Sequence, residues 1–361
     1  MRMSAQAISA HGQEAELFND LILSEVRNRV GYLTLNRPAG INALTLNMVR
    51  ELHRRLTEWA DDPDVLAVVM RGAGEKGFCA GGDVRALCDS YKRHDNLHKT
   101  FFKEEYQLDL LLHLYRKPVV ALMDGFTLGG GMGLAQAAEL RVVTERSWLG
   151  MPETAIGFFP DVGATYFLSR LPGAIGLYLG ITGARLQAAD ALYCGLADWY
   201  VEHDRLAQFE ERLDRTDWSP MPLKDIQNIL AKLGAQVLPE PPLDRLRPAI
   251  DHFFSQPEVP SIIEQLRQVN VADSRDWALR TADEMAVRSP LAMAVTREII
   301  LFGRQLNLER CFQMELHLAN QWFERGDLLE GVRAMLVDKD KRPRWKPAPG
   351  PRQLQELFEG L

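Results

Sequence analysis

Two acidic side chains lie in a short apolar segment of the chain. Glu153 and Asp161 are the only charged residues of Met151–Asp161, whose other members are mostly apolar residues, glycine and proline. Burying a carboxylate without a partner costs free energy and raises its pKa, so this placement indicates a candidate site. Pro152 and Pro160 disfavour helical backbone at the residues before them, which predicts an irregular loop that holds both acids against an apolar wall. The alternative is a helix whose N-terminus is capped by Asp161, with Glu153 at the surface.

Two glycine-rich segments could bring backbone amides close to a ligand. The first, residues 71–83, contains five glycines, of which Gly81 and Gly82 stand before a predicted helix that Asp83 would cap. The second, Gly129–Gly131, separates a predicted strand from an alanine-rich helix, where amides stabilise a developing negative charge. Close packing of a neighbouring helix is the alternative role of these glycines, and both can hold at once.

The first glycine segment also matches the dinucleotide-binding pattern G-x-G-x-x-G through Gly72, Gly74 and Gly77. That pattern requires a helix to begin within the glycines, so that its N-terminus faces the pyrophosphate. Here residues 78–82 delay the helix to about Asp83. The sequence therefore disfavours a nucleotide cofactor, and we expect no cofactor.

A third acid falls on an apolar stripe of a long predicted helix. Glu105 shares this stripe with Phe101, Leu108 and Leu112. Because a carboxyl among apolar side chains needs a partner or a role, Glu105 is a further candidate. An ion pair at the rim of the core is the alternative.

Histidine and cysteine spacing gives little support for a metal site. His94 and His98 stand four positions apart, but a metal needs a third ligand, and their charged neighbours indicate a solvated helix or loop. The cysteines include no Cys-x-x-Cys pair, which indicates a reducing compartment rather than disulfides or zinc. These residues are Cys79, Cys88, Cys194 and Cys311. We expect no metal, and Cys79 to be a small buried residue.

The composition is that of a globular protein, with 46% hydrophobic and 25% charged residues among 361. The net charge of −7 argues against nucleic acid as a partner, because phosphate binding needs a basic surface. No apolar run approaches the roughly 18 residues of a membrane span. Residues 1–20 also lack the patterns of targeting peptides. We therefore predict a cytoplasmic protein.

Alternating strand and helix patterns predict the α/β class. A hairpin over residues 21–36 leads to a helix with apolar positions between Leu46 and Trp59. Beyond about residue 205 helical patterns replace strands. We expect three regions: a disordered or extended segment 1–20, a core 21–204 and a mainly helical region 205–361 with a proline-rich tail. Buried-type strands are predicted at 65–70, 118–123, 140–144 and 148–151.

Five motifs, taken in order and spacing, resemble the crotonase (enoyl-CoA hydratase/isomerase) superfamily over residues 20–205. They are Asn36–Pro38, Asn42–Leu44, Phe78–Asp83, Gly129–Gly131 and Met151–Glu153. Residues 101–106, 151–173 and 330–347 are more specifically similar to the branch of that superfamily that hydrolyses 3-hydroxyisobutyryl-CoA. The resemblance implies a spiral of β-β-α units with a helical C-terminal region. It also implies an acyl-CoA substrate and leaves a homo-oligomer open.

The resemblance also implies roles by position. The thioester oxygen would sit between the backbone N–H groups of Gly82 and Gly130. Hydratases of the superfamily carry two catalytic glutamates; the second matches Glu153, but the first falls on Gly133, which has no side chain. Its absence disfavours water addition to a double bond. The hydrolase branch pairs the remaining glutamate with an aspartate and places another acid near the substrate hydroxyl; these match Asp161 and Glu105.

Three functions follow as hypotheses. The leading one is hydrolysis of a short 3-hydroxyacyl-CoA in valine breakdown, with Glu153 as either nucleophile or general base. The second is a hydratase or isomerase acting on another enoyl-CoA. The third is a non-catalytic scaffold subunit that has kept the fold, against which the joint presence of Glu105, Glu153 and Asp161 argues.

Overall fold

The computed structural model describes residues 21–234, 238–270 and 272–361. These residues form the predicted α/β fold, with two sheets and a helical C-terminal region. The segment 1–20, expected to be extended or disordered, lies outside the described residues. Within the described ranges, no helix is both long and apolar enough to cross a bilayer.

Nine strands are found in the part of the chain that the structure describes. Six form the main sheet in the order β1-β2-β3-β5-β7-β9, in which β1 and β2 pair antiparallel and the other neighbours pair parallel. The remaining three form a parallel sheet in the order β4-β6-β8. The strands are β1 (Ile22–Arg27), β2 (Val30–Leu35), β3 (Ala67–Gly72), β4 (Gly77–Cys79), β5 (Val119–Met123), β6 (Phe126–Leu128), β7 (Leu140–Val143), β8 (Trp148–Gly150) and β9 (Trp199–Tyr200).

The small sheet explains how distant segments meet. Its strands β4, β6 and β8 run parallel, so their carboxyl ends lie along one edge. The segments leaving that edge are Gly81–Gly82, Gly129–Gly131 and the loop that carries Glu153. The sequence predicts no strand at residues 77–79 or 126–128, and these two expectations are wrong. The segments are short and pair only with partners distant in sequence, so they carry no local strand pattern.

Helices pack around both sheets. They are α1 (Leu46–Asp61), α2 (Val84–Arg93), α3 (Leu97–His113), α4 (Gly130–Gln136), α5 (Ala164–Ser169), α6 (Ile175–Thr182), α7 (Ala188–Cys194), α8 (Leu206–Asp214), α9 (Pro222–Leu233), α10 (Pro242–Phe253), α11 (Val259–Arg267), α12 (Ala272–Ala286), α13 (Pro290–Gly303), α14 (Leu308–Arg325), α15 (Leu328–Val332) and α16 (Pro351–Phe358). A π-helical turn, Arg333–Val337, extends α15. The hydroxyl of Thr45 accepts from Met48 N–H at the start of α1, and the carboxylate of Asp83 accepts from Ala86 N–H at the start of α2, as predicted for Asp83.

Helix α3 starts earlier than its apolar stripe suggests. The stripe begins at Phe101, whereas the helix begins at Leu97 and includes His98. His98 is buried and lies 3.1 Å from the hydroxyl of Ser90, so the expectation of a solvated segment is wrong for this residue. No group of three potential metal ligands occurs in the described ranges.

One hydrophobic cluster joins the sheets to the C-terminal helices. It includes Leu149 and Met151 beside β8 and Phe312, Leu318 and Trp322 of α14. A second cluster covers the opposite face of the main sheet with side chains from α8 and α9. Residues on both sides of position 205 therefore share one core, and the division at that position stays a prediction. All four cysteines are free and buried, Cys79 among them.

Candidate active site

The two glycine segments meet at the edge of the small sheet. Gly81 and Gly129 adopt φ of +100° and +51°, a region that favours glycine because a Cβ atom is strained there. A Cβ atom on Gly130 would lie only 3.4 Å from the amide nitrogen of Gly82. Gly130 begins α4, so its N–H has no partner within that helix. The structure thus brings the amides of Gly82 and Gly130 together.

Glu153 and Glu105 both lie against the glycine turn. A Cβ atom on Gly129 would lie 2.8 Å from Glu153 Oε1, and one on Gly130 would lie 2.6 Å from Glu105 Oε1. Both side chains are buried. Glu105 Oε1 and Glu153 Oε2 have no hydrogen-bond partner among the described residues. Two carboxyl groups with unsatisfied oxygens therefore border the glycine turn, where a ligand could supply the missing bonds. We call the region bordered by the glycine turn and these two side chains the pocket.

Asp161 is the third predicted acid, and it lies buried beside Tyr106. The Tyr106 hydroxyl donates to Asp161 Oδ2 at 2.6 Å. The irregular segment between the two acids opens with a short 3-10 helix, Glu153–Ile156, and then turns through Gly157. The alternative of a side-chain cap is not observed, because only the backbone carbonyl of Asp161 bonds to α5, through the N–H of Ala164.

Burial dominates the electrostatics of these acids. Desolvation, followed by repulsion from Asp161, raises the pKa of Glu105 and of Glu153 well above the ordinary range. Desolvation also raises the pKa of Asp161 to about 7, against the opposing effect of the Tyr106 hydroxyl. Arg288, half-buried and bonded to Thr154 Oγ1 at 3.2 Å, is the cation that favours the charged form of Glu153. No residue pattern selects Tyr106 or Arg288 individually, although Tyr106 ends the segment 101–106 that carries part of the family resemblance.

A fourth acid, Asp109, is buried beside the pocket. It lies four positions after Glu105 on the same face of α3, and neither of its oxygens has a hydrogen-bond partner in the part of the chain described. A Cβ atom on Gly133 would lie 3.0 Å from Asp109 Oδ2 and 2.6 Å from Val162 Cβ. The position where hydratases are expected to carry their first glutamate is therefore filled by two other side chains. The apolar-stripe criterion that selected Glu105 would also have selected Asp109.

The C-terminal region holds the loop that carries the acids. Glu315 of α14 is buried and accepts from the backbone N–H groups of Gly163 and Thr165 at 2.8 and 2.9 Å. The indole N–H of Trp322 donates to the carbonyl of Gly157 at 2.7 Å. These contacts lie on both sides of Asp161 in sequence. No local pattern in the sequence relates α14 to this loop.

Val162, next to Asp161, has unusual backbone geometry. Its φ of +53° lies in the left-handed region, which is costly for a β-branched residue. Residues in such conformations persist only where the surroundings determine them. The two bonds from Glu315 follow directly at Gly163 and Thr165, so α14 fixes the orientation of Asp161.

Together these groups suit chemistry at a carbonyl carbon. Paired amides can stabilise an oxyanion, and each such donor is worth about 10² to 10³ in rate. A carboxylate beside them can attack the carbon or activate water. The remaining acids can bind a polar substituent or move a proton.

A family model described as "Enoyl-CoA hydratase/isomerase" matches residues 30–356. The chain belongs to the enoyl-CoA hydratase/isomerase family. The predicted resemblance to the crotonase superfamily is thereby confirmed, and with it an acyl-CoA substrate class.

Curated relatives of this family member share most of its length. It is 39% identical to the mitochondrial 3-hydroxyisobutyryl-CoA hydrolase of Danio rerio, over 95% of this chain and 89% of the relative. It is 38% identical to the protein of the same name in Homo sapiens, over 94% of this chain and 86% of the relative. The similarity is thus not confined to the residues that form the pocket.

Solved structures with the same fold are named for reactions other than hydrolysis. A carnitinyl-CoA dehydratase from Mycobacterium thermoresistibile is 38% identical, with a TM-score of 0.86 over 95% of this chain and 97% of the other. An enoyl-CoA hydratase from Rhodobacter sphaeroides 2.4.1 is 34% identical, with a TM-score of 0.85 over 94% and 98%. The chain therefore has the fold of these acyl-CoA enzymes.

The buried acids predict a loss of stability at alkaline pH. Near pH 4 the unfolded chain releases the protons of its carboxyl groups, whereas burial raises the pKa of Asp161 to about 7 and of Glu315 to about 8. Above pH 4 the folded protein therefore holds more protons than the unfolded chain, and stability falls as pH rises through 7 and 8. Between pH 6.5 and 8.5 we expect these two groups to lower the free energy of unfolding by about 1 to 3 kcal/mol. The raised pKa values of Glu105, Glu153 and Asp109 should lower it further, and urea denaturation measures the sum.

The pH window begins at 6.5 so that an opposing effect of histidine on stability is avoided. Burial lowers the pKa of His98 and His113 from 6.5, so their contribution to stability is lost only as pH falls below that value. The variant Asp161→Asn should show a shallower decrease, because asparagine does not titrate. A stability that rises steadily across the window would contradict the assignment of raised pKa values to these acids.

Proposed function

We propose that this chain hydrolyses short 3-hydroxyacyl-CoA thioesters, with 3-hydroxyisobutyryl-CoA as the reference substrate. The observation that carries this proposal is a buried glutamate, Glu153, with an unpaired oxygen beside the glycine turn, while Gly133 supplies no second glutamate. The curated relatives named above support the same choice.

In the proposed reaction the thioester oxygen accepts from the amides of Gly82 and Gly130. Glu153 then either attacks the carbonyl carbon to give an acyl-enzyme anhydride or takes a proton from an attacking water. In the first route the C–S bond breaks as the anhydride forms, and water later cleaves the anhydride. In either route the products are a carboxylate, the free thiol and one proton.

Asp161 and Glu105 would recognise the hydroxyl group of the substrate. Glu105 Oε1 lies at the glycine turn without a partner, and Asp161 is held by Tyr106 next to the same acids. A substrate hydroxyl could satisfy these oxygens, whereas an unsubstituted acyl chain would leave them unpaired. Sites that bind a substrate hydroxyl reject analogues that lack it, because a buried unpaired polar group is costly.

The test compares thiol release from matched acyl-CoA esters. We expect release of free CoA from 3-hydroxyisobutyryl-CoA and 3-hydroxypropionyl-CoA, with kcat/KM at least about 10²-fold higher than from isobutyryl-CoA or propionyl-CoA. In Glu105→Gln this preference should shrink, while the slow reaction of the unhydroxylated esters should change little. No release from any of the hydroxylated esters would refute the proposal.

A hydratase function is the second candidate, because the two similar solved structures bear hydratase and dehydratase titles. It predicts loss of enoyl absorbance from a 2-enoyl-CoA without free thiol, which the same experiment can measure. A non-catalytic scaffold is distinguished by the absence of any thermal shift on addition of an acyl-CoA.

The curated relatives are named as mitochondrial. For this chain, a cytoplasmic location stays our prediction.

A further inference from the structure

Three polar side chains form a line along one face of α3. Glu105, Asp109 and His113 stand four positions apart, so they lie above one another over about 12 Å of helix. Glu105 borders the glycine turn, Asp109 is fully buried and His113 is partly exposed. The line therefore runs from the pocket towards the protein surface.

The middle and outer members of this line have unsatisfied atoms. Both carboxyl oxygens of Asp109 and Nε2 of His113 are buried without a hydrogen-bond partner among the described residues. A buried polar group without a partner costs free energy, and bound water commonly supplies the missing bond. Side chains four positions apart on a helix are neighbours, so one water can join Asp109 to His113.

Acids from several elements surround Asp109. Asp161 of the loop and Glu315 of α14 repel its charged form, and it in turn raises the pKa of Glu105 and of Cys79 in β4. Desolvation is the largest cause of the raised pKa of Asp109. Burial, together with these neighbouring acids, therefore favours the protonated form of Asp109, whose carboxyl group can donate a proton.

The environment of His113 favours its neutral form. Burial, reinforced by the positive charge of Arg141, lowers its pKa to about 4. Its ring lies against Phe312, and a Cβ atom on Gly163 would be 3.7 Å from Nε2. A neutral imidazole with an unsatisfied nitrogen can accept a proton from one side and release it on the other.

Thioester hydrolysis produces a proton that has to leave the site. One thioester and one water give a carboxylate, a thiol and one proton, so each turnover leaves a proton among buried acids that already repel one another. We propose that Asp109 and His113, joined by a buried water, pass this proton from Asp161 to solvent. The inference rests on the proposed hydrolase function. Both are positioning residues, since they act through Asp161 and do not touch the substrate.

The test measures CoA release in wild type, Asp109→Asn and His113→Ala across pH, in H2O and in D2O. Asparagine has the shape of aspartate but carries no transferable proton, so we expect kcat to fall by about 10²-fold, with KM within twofold and a larger solvent isotope effect. His113→Ala should lose kcat and regain it on addition of imidazole, because the site opens towards solvent. Imidazole should not rescue Asp109→Asn.

Asp190→Asn is the matched control. Asp190 is a buried helical aspartate of α7 that accepts from the N–H of Leu243, away from the pocket, so its variant should keep wild-type kcat and isotope effect. Wild-type kcat and isotope effect in Asp109→Asn would overturn the relay. An equal fall in kcat without an isotope effect or imidazole rescue of His113→Ala would do so as well, since it would indicate a packing role only. Failure of the hydrolase function is distinguishable, because wild type itself would then release no thiol.

Discussion

Replacing Glu153 by glutamine is expected to reduce thiol release from 3-hydroxyisobutyryl-CoA by at least about 10³-fold. Glutamine keeps the size of the side chain but can neither attack the carbonyl carbon nor take a proton from water. The amides of Gly82 and Gly130 remain, so substrate binding should persist and the loss should appear in kcat. The measurement is the steady-state rate of free CoA formation, followed with a thiol reagent.

Two comparisons separate this effect from misfolding. Glu104→Gln makes the same change at the residue next to Glu105 on α3. The carboxylate of Glu104 pairs with Arg50 at the surface, so this variant should leave kcat unchanged. Glu153→Gln should unfold at the same or a higher denaturant concentration than wild type, because it removes an acid whose charged form is disfavoured by burial. Wild-type turnover by Glu153→Gln would remove the central residue from the mechanism.

Replacing Trp322 by alanine is expected to destabilise the protein by about 3 to 5 kcal/mol. Trp322 is fully buried against Phe158 and Phe159, and its indole N–H bonds to the carbonyl of Gly157. The variant creates a cavity and also frees the loop between Glu153 and Asp161. We therefore expect kcat to fall at temperatures where the variant is still folded. Urea denaturation and thiol release measured on the same sample test both expectations.

Trp218→Ala provides a matched comparison for this variant. The indole N–H of Trp218 also donates to a backbone carbonyl, that of Asn28, but this bond is exposed, and the half-buried Trp218 packs against the second hydrophobic cluster, away from the catalytic loop. Its loss should reduce stability without a selective loss of kcat. If both tryptophan variants lose kcat in proportion to stability, α14 contributes to the core but does not orient the catalytic loop.

Some elements of the fold could be predicted from the sequence, and others could not. The strands predicted at residues 65–70 and 118–123 are apolar throughout, and the structure has β3 and β5 within two residues of these bounds. Strands β4 and β6 contain three residues each and are defined by their pairing with one another and with β8. The paired residues are 49 positions apart for Gly77 and Phe126 and 22 apart for Phe126 and Trp148, and a local pattern cannot express such pairing.

At the site, too, some residues can be predicted from their local sequence, whereas others depend on contacts with distant segments. Glu105, Glu153 and Asp161 could be selected because a carboxyl among apolar neighbours stands out in any local window of sequence. Glu315 and Trp322 act from more than 140 residues away in sequence, through bonds to the backbone of the loop. A hydrogen bond to a backbone group can be made whatever the side chain of that residue, so it cannot be predicted from residue types.

The crowding around Gly133 limits the side chains that this position can accept. Introducing glutamate there would place its Cβ 2.6 Å from Val162 Cβ and 3.0 Å from Asp109 Oδ2. Neither neighbour can retreat alone, because the backbone of Val162 is held in an unusual conformation and Asp109 is enclosed on all sides. A glutamate at position 133 therefore requires a compensating change at Val162 or Asp109, and we expect the single replacement to lower stability rather than to add a second catalytic acid.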